Sequence, residues 1–273
     1  MTAGLARLQQ IYDLRREGDS IKSFHLSDPV GFPKRFSGKK EIETAALISA
    51  LFAIGPRYAI LRSLERIFSE LGESPYDSIS DLDCSLMLKK MDGHVQFAYK
   101  NITGKDVVQI LCAVKSVLRL RGTVQEALKS FAGKDEKTSY GVLSGFLGQM
   151  KSAEIPPALG GSLTPRARAL LASPRDGSAC KRMNMFLRWM TRKDEIDFGF
   201  YDWLGTENLI IPLDVNVSRA ARKLELTKRK TDNWKTATEI TEKLKELDPA
   251  DPVKYDVPLF LYGMELRKTK RAA

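Results

Sequence analysis

The chain has 273 residues, 43% hydrophobic and 29% charged, with a formal net charge of +10 and an isoelectric point near 9.4. That balance excludes a disordered chain, and the lack of any apolar run near ~18 residues excludes a membrane-spanning helix. What remains is a protein with a substantial core and a polyanionic partner such as nucleic acid.

Taken in chain order, the opening stretch MTAGLARLQQIYDLRREGDS is amphipathic and lacks the apolar core and cleavage site of a signal peptide, so a cytoplasmic location is expected. In EIETAALISALFAIG, Ile42, Ala45, Ala46, Ala50 and Ala53 fall at helical steps and Gly55-Pro56 stops the pattern. Glu41 and Glu43 on that helix face either solvent or the edge of a bound base. Further helices are predicted over 58–71, ended by Gly72, and over 107–120, ended near Gly122, with shorter ones over 124–131 and 140–150. Cys84, Cys112 and Cys180 lack paired spacing, and His25 and His94 lie far apart. Neither a zinc site nor a four-thiolate iron–sulfur cluster can be assembled from them, so no metal or cofactor is expected and the thiols are read as reduced.

The segment 151–176, with Pro156-Pro157, Gly160-Gly161, Pro165 and Pro174, reads as an irregular connection. After it, SPRDGSACK reads as a tight turn entering a helix, with Ser178 as candidate N-cap. Ala179, Met183, Phe186, Leu187 and Met190 form an apolar stripe; Lys181, Met185, Arg188 and Arg192 share another that offers cations. Helices are expected over 215–226, 233–247 and 257–264, and the absence of alternating strands makes the fold class all-α.

Two basic blocks bracket one loop. Between 164 and 193, Arg166, Arg168, Arg175, Lys181, Arg182, Arg188, Arg192 and Lys193 face only Asp176; between 217 and 235, Arg219, Arg222, Lys223, Lys228, Arg229, Lys230 and Lys235 outnumber Glu225 and Asp232. A single run of this kind is a solvated helix face, whereas two flanking the loop IIPLD point to nucleic acid. Asp214 in that loop follows apolar residues and a proline with no basic neighbour. As a helix cap it would satisfy the first free N–H groups. In an apolar loop its field would also serve to stabilise a cationic transition state. The turn, glycine and helix start of PRDGSACK suit a phosphate, with Arg175, Lys181 and Arg182 supplying charge.

The order Pro174, Gly177, Lys181 opening an apolar helix, Pro212-x-Asp214 and a basic helix resembles the helix-hairpin-helix, Gly/Pro-rich loop and Asp arrangement of endonuclease III-type DNA glycosylases. More closely, GSACKRMNMFLRWMTRKDEIDFG, IIPLDVNVSRAARKLELTKRK and LDPADPVKYDVPLFLYG, with DPVGFPKRF and DGHVQFAYKNITGKD near the front, resemble the bacterial family DUF2400, a branch of that superfamily. The chain departs from the superfamily in carrying Val215 and Asn216 where Thr-His follows the acid, and in lacking the iron–sulfur cysteines.

The resemblance implies two helical lobes with a DNA-binding cleft: residues 38–185 including the hairpin, and residues 1–37 with 186–273. It implies a DNA N-glycosylase, bifunctional with AP lyase activity, that excises an oxidised base in base excision repair. The long separation of Lys181 and Asp214 is similar to that of the archaeal 8-oxoguanine branch and favours that lesion. Lys181 takes the place of the nucleophile that attacks C1′, and Asp214 that of the acid that activates the lysine and stabilises the sugar cation. Arg175, Gly177, Ser178, Arg182, Arg188 and Arg219 are the expected DNA contacts, and Trp203 is the candidate plate beneath a flipped base. The expected partner is damaged double-stranded DNA, bound by a monomer associated with the nucleoid. A non-catalytic DNA-binding or damage-sensing protein on the same fold is the alternative, and an RNA-binding or scaffold protein a third reading.

Overall fold

The computed structural model describes residues 2–17, 28–91, 102–133 and 139–272. His25, His94 and the first part of DGHVQFAYKNITGKD lie outside the described residues. The chain starts in α1 (Ala3–Glu17) and runs through α2 (Lys39–Leu51), α3 (Arg57–Leu71), α4 (Pro75–Ser80), α5 (Cys84–Met91), α6 (Gly104–Arg121), α7 (Val124–Lys129), α8 (Ser139–Lys151) and α9 (Pro165–Leu170). It then passes through α10 (Lys181–Thr191), α11 (Val215–Lys223), α12 (Trp234–Lys245) and α13 (Asp256–Ala272). No strand occurs among the described residues, so the fold is all-α. None of their helices is long and apolar enough to cross a membrane. Two compact units divide the chain: Met1–His25 with Ser173–Ala273, and Leu26–Ala172.

In the second unit α6 is the central helix, with Val107, Ile110, Leu111, Val114 and Val117 fully buried. It starts in a reciprocal cap: Thr103 Oγ1 accepts from Asp106 N, and Thr103 N donates to Asp106 Oδ2 at 2.7 Å. It stops at Gly122, whose φ of 77° lets the chain leave in a left-handed turn with its N–H on Leu118 O. Buried Gln109 donates to Leu159 O at 2.8 Å and Ser162 O at 2.9 Å and accepts from Thr164 N at 2.8 Å. Asp106 takes the Thr164 hydroxyl. These bonds organise part of the stretch expected to be irregular, where Thr164 caps α9 and Pro165 opens it.

Glu41 and Glu43 also differ from expectation. Glu41 accepts from Tyr76 N at 2.7 Å and buried Glu43 from Val124 N at 3.2 Å, so each fastens the start of a neighbouring helix. The expectation of three reduced thiols is corrected as well. Packing of α5 on α6 brings Cys84 and Cys112 into a disulfide, with Cα atoms 6.3 Å apart, and leaves Cys180 buried outside that disulfide.

In the first unit Leu5 and Leu8 of α1, Val217, Ala220 and Ala221 of α11, Ile240 and Leu244 of α12, and Leu259 of α13 form one core with Ile211 and Leu213. Helices α11 and α13 approach closely because Gly263 has no side chain: a Cβ there would sit 2.0 Å from Asn216 O. The same approach fixes the head of α11, where Asp214 stands.

Candidate functional site

The turn before α10 is built by its own residues. Asp176, the acid inside the first basic block, turns inward to Ser173, accepting from its N at 2.8 Å and its Oγ at 2.9 Å. Gly177 then adopts φ 74°, a conformation that carries a steric cost for any other residue. Its carbonyl accepts from Trp234 N at 3.3 Å, and Ser178 bridges to Asn233, so the turn lies against the head of α12. Ser178 is not the N-cap. Its Oγ accepts from Cys180 N at 3.1 Å, and Cys180, with φ 48°, takes the cap position but its side chain does not cap the helix. A left-handed cysteine immediately before Lys181 is a local strain of the kind that binding and catalytic sites retain.

Lys181 is the first residue of α10 and Asp214 the N-cap of α11. Asp214 Oδ1 accepts from Asn216 N at 2.8 Å and Val217 N at 2.9 Å. Its other oxygen, Oδ2, lies 3.8 Å from Lys181 Nζ, with 33% of the lysine side chain and 15% of the aspartate side chain exposed. Capping and facing a cation are thus divided between the two oxygens of one carboxylate. Val215, the next residue, is 61% exposed despite being apolar.

The cationic stripe of α10 is reassigned by burial. Arg188 is 3% exposed and pairs with Asp197 at 3.1 Å and with Asp256. Arg192 pairs with Asp194 at 2.8 Å, Asp197 at 2.5 Å and Asp251 at 3.0 Å. Burial works against the charge on Arg188, yet Asp197 and Asp256 hold its guanidinium above the ordinary value. Arg188, expected as a DNA contact, is therefore an interior cation satisfied by carboxylates. Arg219 is half-buried and donates to Asn216 Oδ1 at 3.0 Å and Gly263 O at 2.9 Å, tying α11 to α13. Arg182 is half-buried at the start of α10, and desolvation pulls its guanidinium down to about 10, still charged at neutral pH. Arg175 is exposed and makes no ion pair or side-chain hydrogen bond with another of the described residues. Trp203 is 8% exposed and lies against Tyr201 with ring centroids 5.8 Å apart, so it is a core residue here rather than an open plate.

Asp256 is the site residue that sequence reasoning passed over. Burial pushes its carboxyl up to about 6; Arg188 pulls it down, the Asp214 carboxylate adds to the rise, and Lys181 opposes it. It shares an electrostatic neighbourhood with both members of the Lys181–Asp214 pair. The one signal in the sequence was an aspartate opening an apolar helix in KYDVPLFLYG, hidden by the acidic turn ahead of it.

Three helix heads contribute to this cluster: Lys181 begins α10, Asp214 caps α11 and Asp256 begins α13. Helix heads carry partial positive charge, which favours the carboxylates and opposes an ammonium. No group of His, Cys, Asp and Glu that could hold a metal ion occurs among the described residues. The arrangement offers an amine, an anchored carboxylate and a buried acid, a set suited to nucleophilic attack by nitrogen with a proton acceptor at hand.

The family model described as "Protein of unknown function (DUF2400)" matches residues 28–265, and the chain belongs to this family. No curated protein and no solved structure matches it.

Proposed function

We propose that this chain is a DNA N-glycosylase with an AP lyase step, acting on an oxidised base in duplex DNA, with 8-oxoguanine favoured. The observation that carries the reading is the Lys181–Asp214 pair: an amine 3.8 Å from a carboxylate oxygen that is free of the cap. In this reading a base leaves the duplex stack, Lys181 Nζ attacks C1′ of its sugar, and Asp214 stabilises the positive charge that develops there. Arg175 and the Gly177 turn hold the backbone phosphates beside the reacting nucleotide. The glycosylase-like architecture, the cytoplasmic location and the monomeric state belong to the same proposal.

Borohydride trapping tests it. The purified chain is incubated with duplexes carrying 8-oxoguanine, thymine glycol, uracil or an abasic site and then reduced. A covalent protein–DNA adduct is expected on the abasic duplex and on one lesion class, absent in Lys181→Gln and slower by about 10²-fold in Asp214→Asn. Tight duplex binding with no adduct on any substrate would reject the lyase and leave a damage-sensing protein.

A further inference from the structure

We infer that Cys84 and Cys112 form a reversible redox site, in which Cys84 is the thiol that reacts with a hydroperoxide and Cys112 the thiol that resolves the product into the disulfide. The pair belongs to the Leu26–Ala172 unit, whereas Lys181 and Asp214 belong to the other, and its chemistry is independent of the DNA chemistry proposed above.

The two helices that carry the sulfurs are held together by more than the sulfur bond. At one end, α5 finishes against the start of α6: a Cβ on Gly104 would lie 2.4 Å from Met91 O, and Met91 is fully buried. At the other end Lys115 of α6 donates from Nζ to Leu82 O at 2.7 Å, just ahead of α5. Leu82 and Met87 are buried as well. Cys84 stands about two helical turns before Met91 and Cys112 about two turns after Gly104. The register set at one end therefore brings the cysteines opposite each other, with Cα atoms 6.3 Å apart. A pair positioned by packing can open to two thiols and close again while the helices stay in place.

The sulfurs are not equivalent. Cys84 is half-buried at the first position of α5, while Cys112 is 4% exposed within α6. Of the two, Cys84 is the one a solute can reach. Once reduced, its thiol stands at a helix N-terminus, whose partial positive charge favours the thiolate. The acid beside it, Asp83, is turned onto the helix, with Oδ1 accepting from Leu86 N at 2.9 Å and Ser85 N at 2.8 Å, and Lys115 and Lys89 offset its charge. A partly exposed thiolate next to a covered second thiol is the arrangement by which cysteines respond to oxidants.

Atoms and electrons balance. The Cys84 thiolate attacks one oxygen of the hydroperoxide and the O–O bond breaks. The other oxygen takes a proton from solvent and leaves as an alcohol, or as water from hydrogen peroxide, and Cys84 is left as a sulfenic acid. The Cys112 sulfur then attacks Cys84 Sγ; the S–S bond forms, the S–O bond breaks, and the hydroxyl leaves as water with the Cys112 proton. The electron pair lost to the peroxide is returned when a dithiol reduces the bond by exchange.

The test uses the full chain, reduced with dithiothreitol, desalted without air and treated with a slight excess of hydrogen peroxide; remaining thiols are blocked and peptides mapped by mass. In the wild type the Cys84–Cys112 cross-link is expected to form, and to open again with dithiothreitol in the absence of denaturant. In Cys112→Ser, Cys84 is expected to stop at the sulfenic acid and to be captured by dimedone. In Cys84→Ser, covered Cys112 is expected to be captured more slowly by about 10-fold or more. The reduced wild type is expected to keep its helical circular dichroism, a check that needs no variant.

A cross-link that dithiothreitol opens only in denaturant, or a reduced wild type that unfolds, would make the bond a fixed staple and overturn the assignment. A folded, reduced wild type that forms no cross-link with peroxide would overturn it as well. Capture of Cys112 in Cys84→Ser as fast as that of Cys84 in Cys112→Ser would reject the division of roles between the two thiols.

Discussion

Asp214 and Asp256 are the same side chain put to different uses by their surroundings. Asp214 keeps one oxygen on two backbone N–H groups, whereas Asp256 is enclosed by protein with a single arginine on one oxygen. The enclosure has a thermodynamic signature. The folded Asp256 carboxyl lies near 6 against an ordinary 3.8, so between those values the folded chain holds a proton that the unfolded chain has released. Its contribution to stability is therefore fully present only below 3.8 and is lost as pH rises through about 6. At neutral pH the ionised group costs on the order of 3 kcal/mol. Asp256→Asn is expected to be more stable than wild type at pH 8, by about 1–3 kcal/mol in urea unfolding, with the difference closing only as pH falls below about 4. A loss of stability of the same size at both pH values would make Asp256 an ordinary structural acid.

At the scale of elements, the site is held by how closely α13 lies on α11. Gly263→Ala places a methyl group 2.0 Å from Asn216 O, a backbone atom that cannot swing away. The helices must separate, which is expected to cost about 2–3 kcal/mol and to disturb Asn216, two residues beyond Asp214. Gly148→Ala in α8 is the comparison: its methyl group meets nothing within 4 Å, and replacing a helical glycine there should add about 0.5–1 kcal/mol. Thermal melts of the pair read both signs, and equal destabilisation would refute the steric account. These elements also show what was legible in the sequence. Gly72 and Gly122 announced the ends of α3 and α6, and an aspartate after Pro212-Leu213 announced the head of α11, because caps and stops are local. The cationic stripe of α10 was misread because the acids that bury Arg188 and Arg192 come from Asp197, Asp251 and Asp256, outside any helical window. The Cys84–Cys112 bond and the Gln109 bonds to 159–164 are likewise products of packing between distant segments. Lys181 and Asp214 were readable as a pair from their motifs, while Asp256 required the fold.

For the molecule as a whole, the formal charge of +10 is not one reservoir of affinity. Arg188 and Arg192 are neutralised in the interior, and Arg222 and Arg229 are paired at the surface with Asp232 at 2.6 Å and Glu239 at 2.7 Å. Arg175, Lys228, Lys230 and Lys235 are exposed and make no ion pair with another of the described residues. A polyanion gains affinity from the cations that displace its counterions, and each neutralised duplex phosphate steepens the salt dependence by about 0.9 in the log–log slope. Duplex affinity is therefore expected to fall steeply between about 50 and 200 mM salt, and Arg175→Ala should make the slope shallower by about 0.9. The triple variant Lys228→Ala, Lys230→Ala, Lys235→Ala should flatten it by as much as about 2.7 if all three meet phosphates. Arg222→Gln removes the same formal charge as Arg175→Ala, but from a cation already held by a carboxylate, so its slope should stay closer to wild type. Fluorescence anisotropy on one labelled duplex gives all four values. Equal changes for Arg175 and Arg222 would mean that binding follows net charge alone, as for a scaffold that attracts any polyanion. A slope that none of the variants alters would place the DNA on another face of the protein.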